Sequence, residues 1–545
     1  NNLLQTLRTI VVESKMEDSF SNTLESISNS ALIGARGNSG VIFAQFVNGL
    51  QKSNGTKDSV SMEEFTKLVE YSFEHTYSSL SNPVEGTMIT IMRDFSIALK
   101  KSLSTVKTIK DFFQSAYNRI KESLTDTTKM LDVLSENDVV DSGAMGFVLF
   151  VQGIVSYYNN DEVDISEYEN IEHIDEHHYE GDITYRYCTE GLVKYTSLKE
   201  TNLKEDLEAF GDSLIIAQGK NRFRVHIHTN TPELVFQTLN KYGDLETQKI
   251  DDMKLEMNIK NTDRKRVIVT DSIADIGKEI LDDNHVVVIP VNISIDNKPY
   301  LDKLSINNKL LFGSLNTYSE YPKTATPSIK YINDLFSKLL LKFDEILVIT
   351  VSEGLSATHN VIKQEAEKIK TKDKKIYIVD SYNNSATEGL LVLEAIEMMK
   401  EDINTKEIVK HLEISREKTE ILVCLETFKY ATMSGRLPKI VGNIGMFFGI
   451  RPIMSLKKGK GAAFGMALSQ KGITKKIKKY VQKDLLETGI ESYSIVHCLN
   501  EELASEYTKL FTNMIGFEPS FITEISSATA IHSGVGSVAI GYIKK

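Results

Sequence analysis

At 545 residues the chain is too long for one hydrophobic core and is expected to divide into roughly three or four domains. Its 41% hydrophobic and 25% charged residues are those of a globular protein, and a net charge of −12 argues against nucleic acid as main partner, because that demands a basic face. Cys188, Cys424 and Cys498 lie far apart with no disulfide framework, which fits a reducing, cytoplasmic setting, and no run of about 20 apolar residues suggests a membrane span.

Residues 1–158 carry helical periodicity. Ser61 and Glu64 form a capping-box pattern ahead of the stripe Phe65, Leu68, Phe73, Tyr77, Leu80. Further stripes run Met88, Ile91, Met92, Phe95, Leu99 and Ile109, Phe113, Ala116, Tyr117, Ile120, Leu124. An all-α bundle or barrel is expected. Three turn-like segments interrupt it: Gly34-Ala35-Arg36-Gly37-Asn38-Ser39-Gly40, Asn82-Pro83-Val84-Glu85-Gly86-Thr87 and Val140-Asp141-Ser142-Gly143. Glycines and small polar residues where helices begin suit anion binding, since the backbone N–H groups are exposed there. A tight turn between helices satisfies the same residues.

These three segments, in this order and at these intervals, resemble the ATP-binding helical domain of the dihydroxyacetone kinase and fatty acid kinase families. The resemblance implies ATP as cofactor, with Asn2, Gly37, Asn38, Ser39 and Gly40 against the phosphates and Thr87, Asp141, Ser142 and Gly143 enclosing the nucleotide. The family opens on an Asp-rich segment, Asp-Gly-Asp-Thr-Gly-Thr-Asn-Met, whose carboxylates hold Mg²⁺; Asn1-Asn2-Leu3 matches only its last three residues. Because the sequence opens without methionine, those Mg²⁺ ligands are expected upstream of Asn1, and without them the chain is expected to be inactive.

Residues 159–182 are acidic, with little apolar periodicity, and read as a linker. From 183 to 262 an α+β middle domain is expected. In Val225-His226-Ile227-His228-Thr229 the period of two places both imidazoles on one strand face, and Cys188 on a neighbouring strand could complete a soft donor set suited to Zn²⁺. Paired histidines can equally be hydrogen-bonded to each other. Cys-Thr-Glu, Gly211-Asp212-Ser213-Leu214 and His-x-His-Thr resemble the middle domain of bacterial fatty acid kinase, which implies a metal at Cys188, His226 and His228; the fourth ligand stays open.

From 264 to 545 short β-branched runs (267–271, 286–291, 346–350, 376–380) alternate with helical patterns over 329–341, 358–370 and 386–400, predicting a mostly parallel α/β sheet. Runs at 421–425, 452–456, 493–498 and 537–542 follow, so two lobes are expected. Asp271-Ser272, Ser352, Ser356, Thr358 and Asp380-Ser381 gather at strand carboxyl ends, where α/β sheets bind ligands, although helix capping explains each one as well. Lys475-Lys476-Ile477-Lys478-Lys479 reads as a solvated helix face.

This region resembles the DegV family of fatty-acid-binding proteins through Thr270-Asp271-Ser272-Ile273-Ala274-Asp275, Thr324-Ala325-Thr326-Pro327-Ser328, Leu355-Ser356-Ala357-Thr358, Val379-Asp380-Ser381, Ser434-Gly435-Arg436 and His532-Ser533-Gly534-Val535-Gly536. The resemblance implies a bound fatty acid whose carboxylate lies near Thr326, Ser328, Ser356, Arg436 and His532, with Arg436 also catalytic. Ala325 stands where the family has serine, removing one hydroxyl donor, worth roughly 1.5–3 kcal/mol. The fold class expected is therefore multidomain α plus α/β: an all-α domain, a small α+β middle domain and a two-lobed α/β domain. The function expected is a fatty acid kinase with kinase and acyl-carrier modules fused, acting in a homodimer, with an acyltransferase partner or a transient membrane contact downstream. The alternatives are a fatty-acid carrier with an inactive kinase-like domain and a small-polyol kinase of the dihydroxyacetone type.

Overall fold

The computed structural model describes residues 2–131, 135, 140–161, 183–195, 200–369, 374–436, 446 and 449–545. They form two compact units, 1–257 and 258–545. The expected acidic linker lies, from 162 onward, outside the described residues.

Among the described residues, seven helices build the first part of unit one: Asn2–Glu13, Phe20–Gly34, Gly37–Asn54, Met62–Ser79, Met88–Ser102, Ile109–Thr127 and Ser142–Asn159. Their starts are chemically specified. Ser61 and Glu64 close the expected capping box, Ser19 and Thr108 cap their helices through the backbone N–H groups of Asn22 and Asp111, and Asp141 accepts from Ala144 N at 2.6 Å. Met88, Ile91, Met92, Phe95 and Leu99 are all buried. Tyr77 and Ile109, expected in stripes, are instead exposed at the ends of theirs.

Four antiparallel strands follow, β1 (Tyr187–Lys194), β2 (Gly211–Gln218), β3 (Arg222–Thr229) and β4 (Asp244–Asp252), in the order β2-β3-β1-β4, with helices Glu200–Glu208 and Pro232–Leu239. Leu192, Ile215 and Ala217 of this sheet belong to the same apolar cluster as the helices, Leu80 bridges to Ile215, and Ser81 Oγ donates to Leu214 O at 2.9 Å. That shared core is why the middle region does not stand apart as a unit of its own.

In unit two, β5 (Arg266–Asp271), β6 (Val287–Ile289), β10 (Glu345–Thr350) and β11 (Lys375–Asp380) make an all-parallel sheet of order β11-β10-β5-β6. Three short strands, β7 (Asn292–Ile295), β8 (Lys298–Leu301) and β9 (Lys323–Ala325), form a separate antiparallel sheet. The parallel sheet expected over the first set of runs is thus present, and the second lobe is built differently. Its strands β12 (Thr419–Cys424), β13 (Arg451–Lys457), β14 (Lys460–Ala467), β15 (Ile490–His497), β16 (Ile522–Glu524) and β17 (Val538–Lys544) are antiparallel except for β15 with β16. The helix Ser385–Lys400 buries Leu390, Leu391, Val392 and Ile396 in one cluster with Leu347 and Ile349 of the first sheet and Ile421, Val496 and Ile543 of the second. On the helix Gln470–Glu487, Lys475, Lys476, Lys478 and Lys479 are exposed while Ile477 is buried, a solvated face as expected. Among the described residues no helix is long and apolar enough to cross a membrane.

Candidate functional site

The three turns of the helical part converge. Gly37 has φ +57°, and a Cβ there would stand 2.2 Å from Asn2 Nδ2, so the left-handed turn brings the loop backbone onto the first helix. A Cβ on Gly143 would lie 2.6 Å from Ser39 Oγ, so only glycine lets the third turn approach the first this closely. The Asp141 carboxyl faces the N–H groups of Ala144, Met88 and Gly143, tying the second turn, beside Thr87, to the third. Burial pushes Asp141 up to about 6 against the pull of those three donors. Asn2, Ser39, Gly40, Thr87, Asp141, Ser142 and Gly143 thus gather at the starts of four helices.

The amides at this locus are not equivalent. Gly40 N closes the first helical turn on Arg36 O at 3.1 Å, and Gly37 N donates to Glu190 Oε1 at 2.7 Å. Arg36 makes no side-chain cap bond. The set expected to meet phosphate, Gly37 to Gly40, is narrowed to the second and third N–H groups of the helix, those of Asn38 and Ser39. Among the described residues the one cluster of three potential metal-binding side chains lies elsewhere.

That cluster is Cys188, His226 and His228, all buried, with one donor atom from each within 4.8 Å of the others. The β1/β3 register sets Cys188 opposite His228 and Glu190 opposite His226 on one face. The two Nε2 atoms stand 3.3 Å apart, about the separation that two Zn–N bonds near 2.0–2.1 Å impose at a tetrahedral ion. Cys188 Sγ lies 3.8 Å from His226 Nδ1, and Asp212 Oδ1 lies 3.6 Å from His228 Nδ1. The donor set fits zinc. Burial, with Glu190 and Asp251 nearby, pushes the Cys188 thiol well up.

Two residues here escaped the sequence reading, Glu190 and Arg224. Each is two positions from an assigned ligand, Cys188 or His226, so strand alternation was the available signal. Glu190 is 1% exposed and Arg224 1% exposed. Arg224 Nη1 is 3.5 Å from Glu190 Oε2, while its Nε and Nη2 donate to Leu32 O and Ile33 O at 2.9 and 2.8 Å. Burial opposes the Glu190 charge, but His226, Lys249 and Arg224 outweigh it and hold the carboxyl below the usual range.

In unit two, Arg436 and His532 are near neighbours: burial and the Arg436 charge lower the imidazole to about 4, leaving it neutral at pH 7. Its Nδ1 is buried with no protein partner, and Arg436 Nη2 reaches Leu355 O at 3.2 Å, beside Ser356. Tyr321 donates to Ile531 O at 2.6 Å and Asn292 Nδ2 to Thr326 O at 2.8 Å, which draws the turn of Thr326 and Ser328 toward the same helix end. Ser328 caps the helix Ile329–Lys342, and Ser356 accepts from Thr358 N at 3.2 Å, so both hydroxyls already serve as local caps. The other strand-end groups tie loops: Asp271 accepts from Ile273 N and Val351 N, Ser352 donates to Gly459 O, and Asp380 accepts from Tyr382 N. A cavity of about 30 Å³, lined by residues including Ile421, Val423, Val496, Ile525 and Ala539, lies between the second sheet and the helix Ser527–Ser533; it is water-sized, and an alkyl chain would have to widen it.

Residues 265–545 match the family model of the DegV proteins, just over half of the chain. The chain belongs to the DegV family. Ahead of this DegV part, residues 1–156 match the DAK2 domain and residues 184–260 the middle domain of FakA-like fatty acid kinase proteins, in the order the sequence suggested. An uncharacterized Staphylococcus saprophyticus protein is 31% identical over 265 residues, 46% of this chain and 48% of its own; a Staphylococcus epidermidis protein is 30% identical over 259 residues, 45% and 46%. This DegV-family chain spans about half the length of the curated relatives it matches. Among solved structures, a Thermus thermophilus DegV family protein described for fatty acid binding is 20% identical with TM-score 0.48, covering 52% of this chain and 100% of that one. DegV of Bacillus subtilis, described as a fatty acid binding protein, is 21% identical with TM-score 0.46, covering 52% and 99%.

Proposed function

We propose that this DegV-family chain is a fatty acid kinase-type protein, with ATP bound at the three convergent turns and a fatty acid bound in the DegV part. The observation that carries this reading is the pairing on one chain of a helix start with two N–H groups left for phosphate and a separate site where a neutral buried imidazole, with Nδ1 unspent, sits beside an arginine. The reaction is attack of a fatty-acid carboxylate oxygen on the γ-phosphorus; the bond from that phosphorus to the bridging oxygen of ADP breaks, giving acyl phosphate and ADP. A carboxylate is ionised at pH 7, so no general base is required. The chain's part is to hold and orient: the Asn38 and Ser39 amides against phosphate, His532 and the Thr326, Ser328 and Ser356 hydroxyls toward the carboxylate, and Arg436 to offset charge as the two anions meet. Zinc at Cys188, His226 and His228 would supply a fixed positive charge to the middle sheet.

The test is direct. Protein expressed from its full reading frame, after native mass spectrometry for copurified lipid, is incubated with Mg²⁺, ATP and a fatty acid, and acyl phosphate is trapped as the hydroxamate. Stoichiometric lipid with hydroxamate supports the reading; lipid without ADP or hydroxamate leaves a carrier, and phosphorylation of dihydroxyacetone without lipid a polyol kinase.

Arg436→Ala should lower acyl phosphate formation by about 100-fold or more while lipid retention changes by less than about threefold. Equal losses in both measurements would contradict a role in transfer. Changing His226 and His228 together to Ala should reduce metal content from one ion per chain to near none by elemental analysis, and unchanged content refutes the metal site.

A further inference from the structure

The glycine turn is gripped from the middle sheet at two points. Arg224 of β3 takes the carbonyls of Leu32 and Ile33, the last turn before the loop, and Glu190 of β1 takes the Gly37 N–H, the first amide after it. Between the grips lie only Gly34, Ala35 and Arg36. Both gripping side chains are buried, and they are paired to each other at 3.5 Å. Glu190 Oε1 is at the same time 3.8 Å from His226 Nδ1 and 3.9 Å from Lys249 Nζ. The one carboxylate that fixes the loop is therefore also a neighbour of the Cys188, His226 and His228 cluster.

We infer that Glu190 is a positioning residue that couples the metal cluster to the phosphate loop, so that metal and nucleotide bind cooperatively; this rests on the kinase reading. The physical chain is short. Gly37 holds a left-handed conformation that the hydrogen bond from its N–H to Glu190 fixes, and that conformation sets the direction of the next two N–H groups, those of Asn38 and Ser39. A metal that orients the His226 ring fixes the imidazole 3.8 Å from Glu190 Oε1, the same oxygen that takes the Gly37 N–H, removing freedom that nucleotide binding would otherwise have to remove. Coupling of this kind is reciprocal: whatever zinc does to nucleotide affinity, nucleotide must do to zinc affinity.

The experiment uses the full chain, with zinc as the metal and ADP as the nucleotide. ADP affinity is measured by calorimetry on zinc-loaded wild type, Glu190→Gln and Glu190→Ala, with melting curves alongside to establish that each protein is folded at the titration temperature. Zinc affinity is measured by chelator competition with and without saturating ADP. In wild type, ADP should tighten zinc at least fivefold. Glu190→Ala should weaken ADP about tenfold and abolish the effect of ADP on zinc, and Glu190→Gln, which keeps an acceptor oxygen for Gly37, should recover most of the ADP affinity. A merely structural Glu190 would lower the melting temperature of the alanine variant yet leave ADP affinity of the folded protein within twofold of wild type, and that result overturns the proposal. Should the alanine variant not fold, the wild-type linkage decides, since a zinc affinity indifferent to ADP overturns it as well. If wild type binds no ADP, the kinase reading falls and takes this one with it; if wild type binds ADP with no coupling, only this one falls.

Discussion

Arg224→Ala should lower the melting temperature of the 1–257 unit by roughly 6–20 °C and leave the transition of the 258–545 unit in place. The guanidinium is almost wholly buried, donates to two helix-end carbonyls and faces a buried carboxylate. Truncating it strands the Leu32 and Ile33 carbonyls and leaves Glu190 with Lys249, 3.9 Å away, as its cationic neighbour. Removing one member of a buried pair costs about 3–5 kcal/mol, chiefly because the other charge remains buried. Arg224→Lys should recover little, since an ammonium cannot reproduce the fork that spans two carbonyls and a carboxylate. Calorimetry resolves the two transitions; a fall of less than about 2 °C in the first would mean that the pair is not what joins the sheet to the glycine loop.

What the sequence makes legible here is whatever is encoded locally. The capping box at Ser61 and Glu64, the Met88–Leu99 stripe and the helices near 329–341 and 386–400 are properties of a few consecutive residues, and the structure reproduces them. The hairpin of β7 and β8 escapes a sequence reading although Asp296 and Asn297 both take positive φ, the two-residue turn that matches strand twist. Strand β14, Lys-Gly-Ala-Ala-Phe-Gly-Met-Ala, escapes it because it lacks the β-branched alternation on which a strand reading depends. The strand-end serines and aspartates are ambiguous for a physical reason: a hydroxyl or carboxylate that caps a helix has the same sequence signature as one that meets a ligand, and Asp271, Ser352 and Asp380 prove to be tied to neighbouring loops.

The contact that most alters the candidate site is the least local. Gly37 and Glu190 are 153 positions apart, and nothing near either one announces the other. Strand alternation can place Glu190 on the face of Cys188, but only the packing of β1 against the glycine turn shows that this carboxylate takes an amide otherwise expected to meet phosphate. By sequence the loop offers four donors to one anion; folded, it has one donor held by the protein, one closing a helix and two left over.

Glu388→Gln should leave unit two about as stable as wild type near pH 4.5 and stabilise it by roughly 1–3 kcal/mol at pH 8, the gap widening steadily between. Both Glu388 carboxylate oxygens are buried without a hydrogen-bond partner, and the side chain shares its surroundings with Asp271, Asp275, Asp302, Asp380 and Lys303. Burial, reinforced by Asp271 and Asp275, pushes Glu388 well up; burial pushes Asp271 up to about 7 and Asp302 to about 6, against hydrogen bonds and the Lys303 charge that pull down. A carboxyl whose folded value exceeds its unfolded one holds more protons folded than unfolded. Its contribution is complete below the unfolded value and drains away as pH rises through the folded one. For Asp271 the loss runs from about pH 4 to about pH 7, for Asp302 from about 4 to about 6, and for Glu388 it continues beyond. Wild-type unit two should therefore lose stability from these groups as pH climbs from 4 to 8, opposite to the trend salt-bridged carboxylates give. Glutamine matches the protonated acid in shape and cannot ionise, so it removes one of these slopes. Denaturant titrations at several pH values read the difference directly, and a gap that stays flat with pH would show that Glu388 is not held protonated in the folded chain.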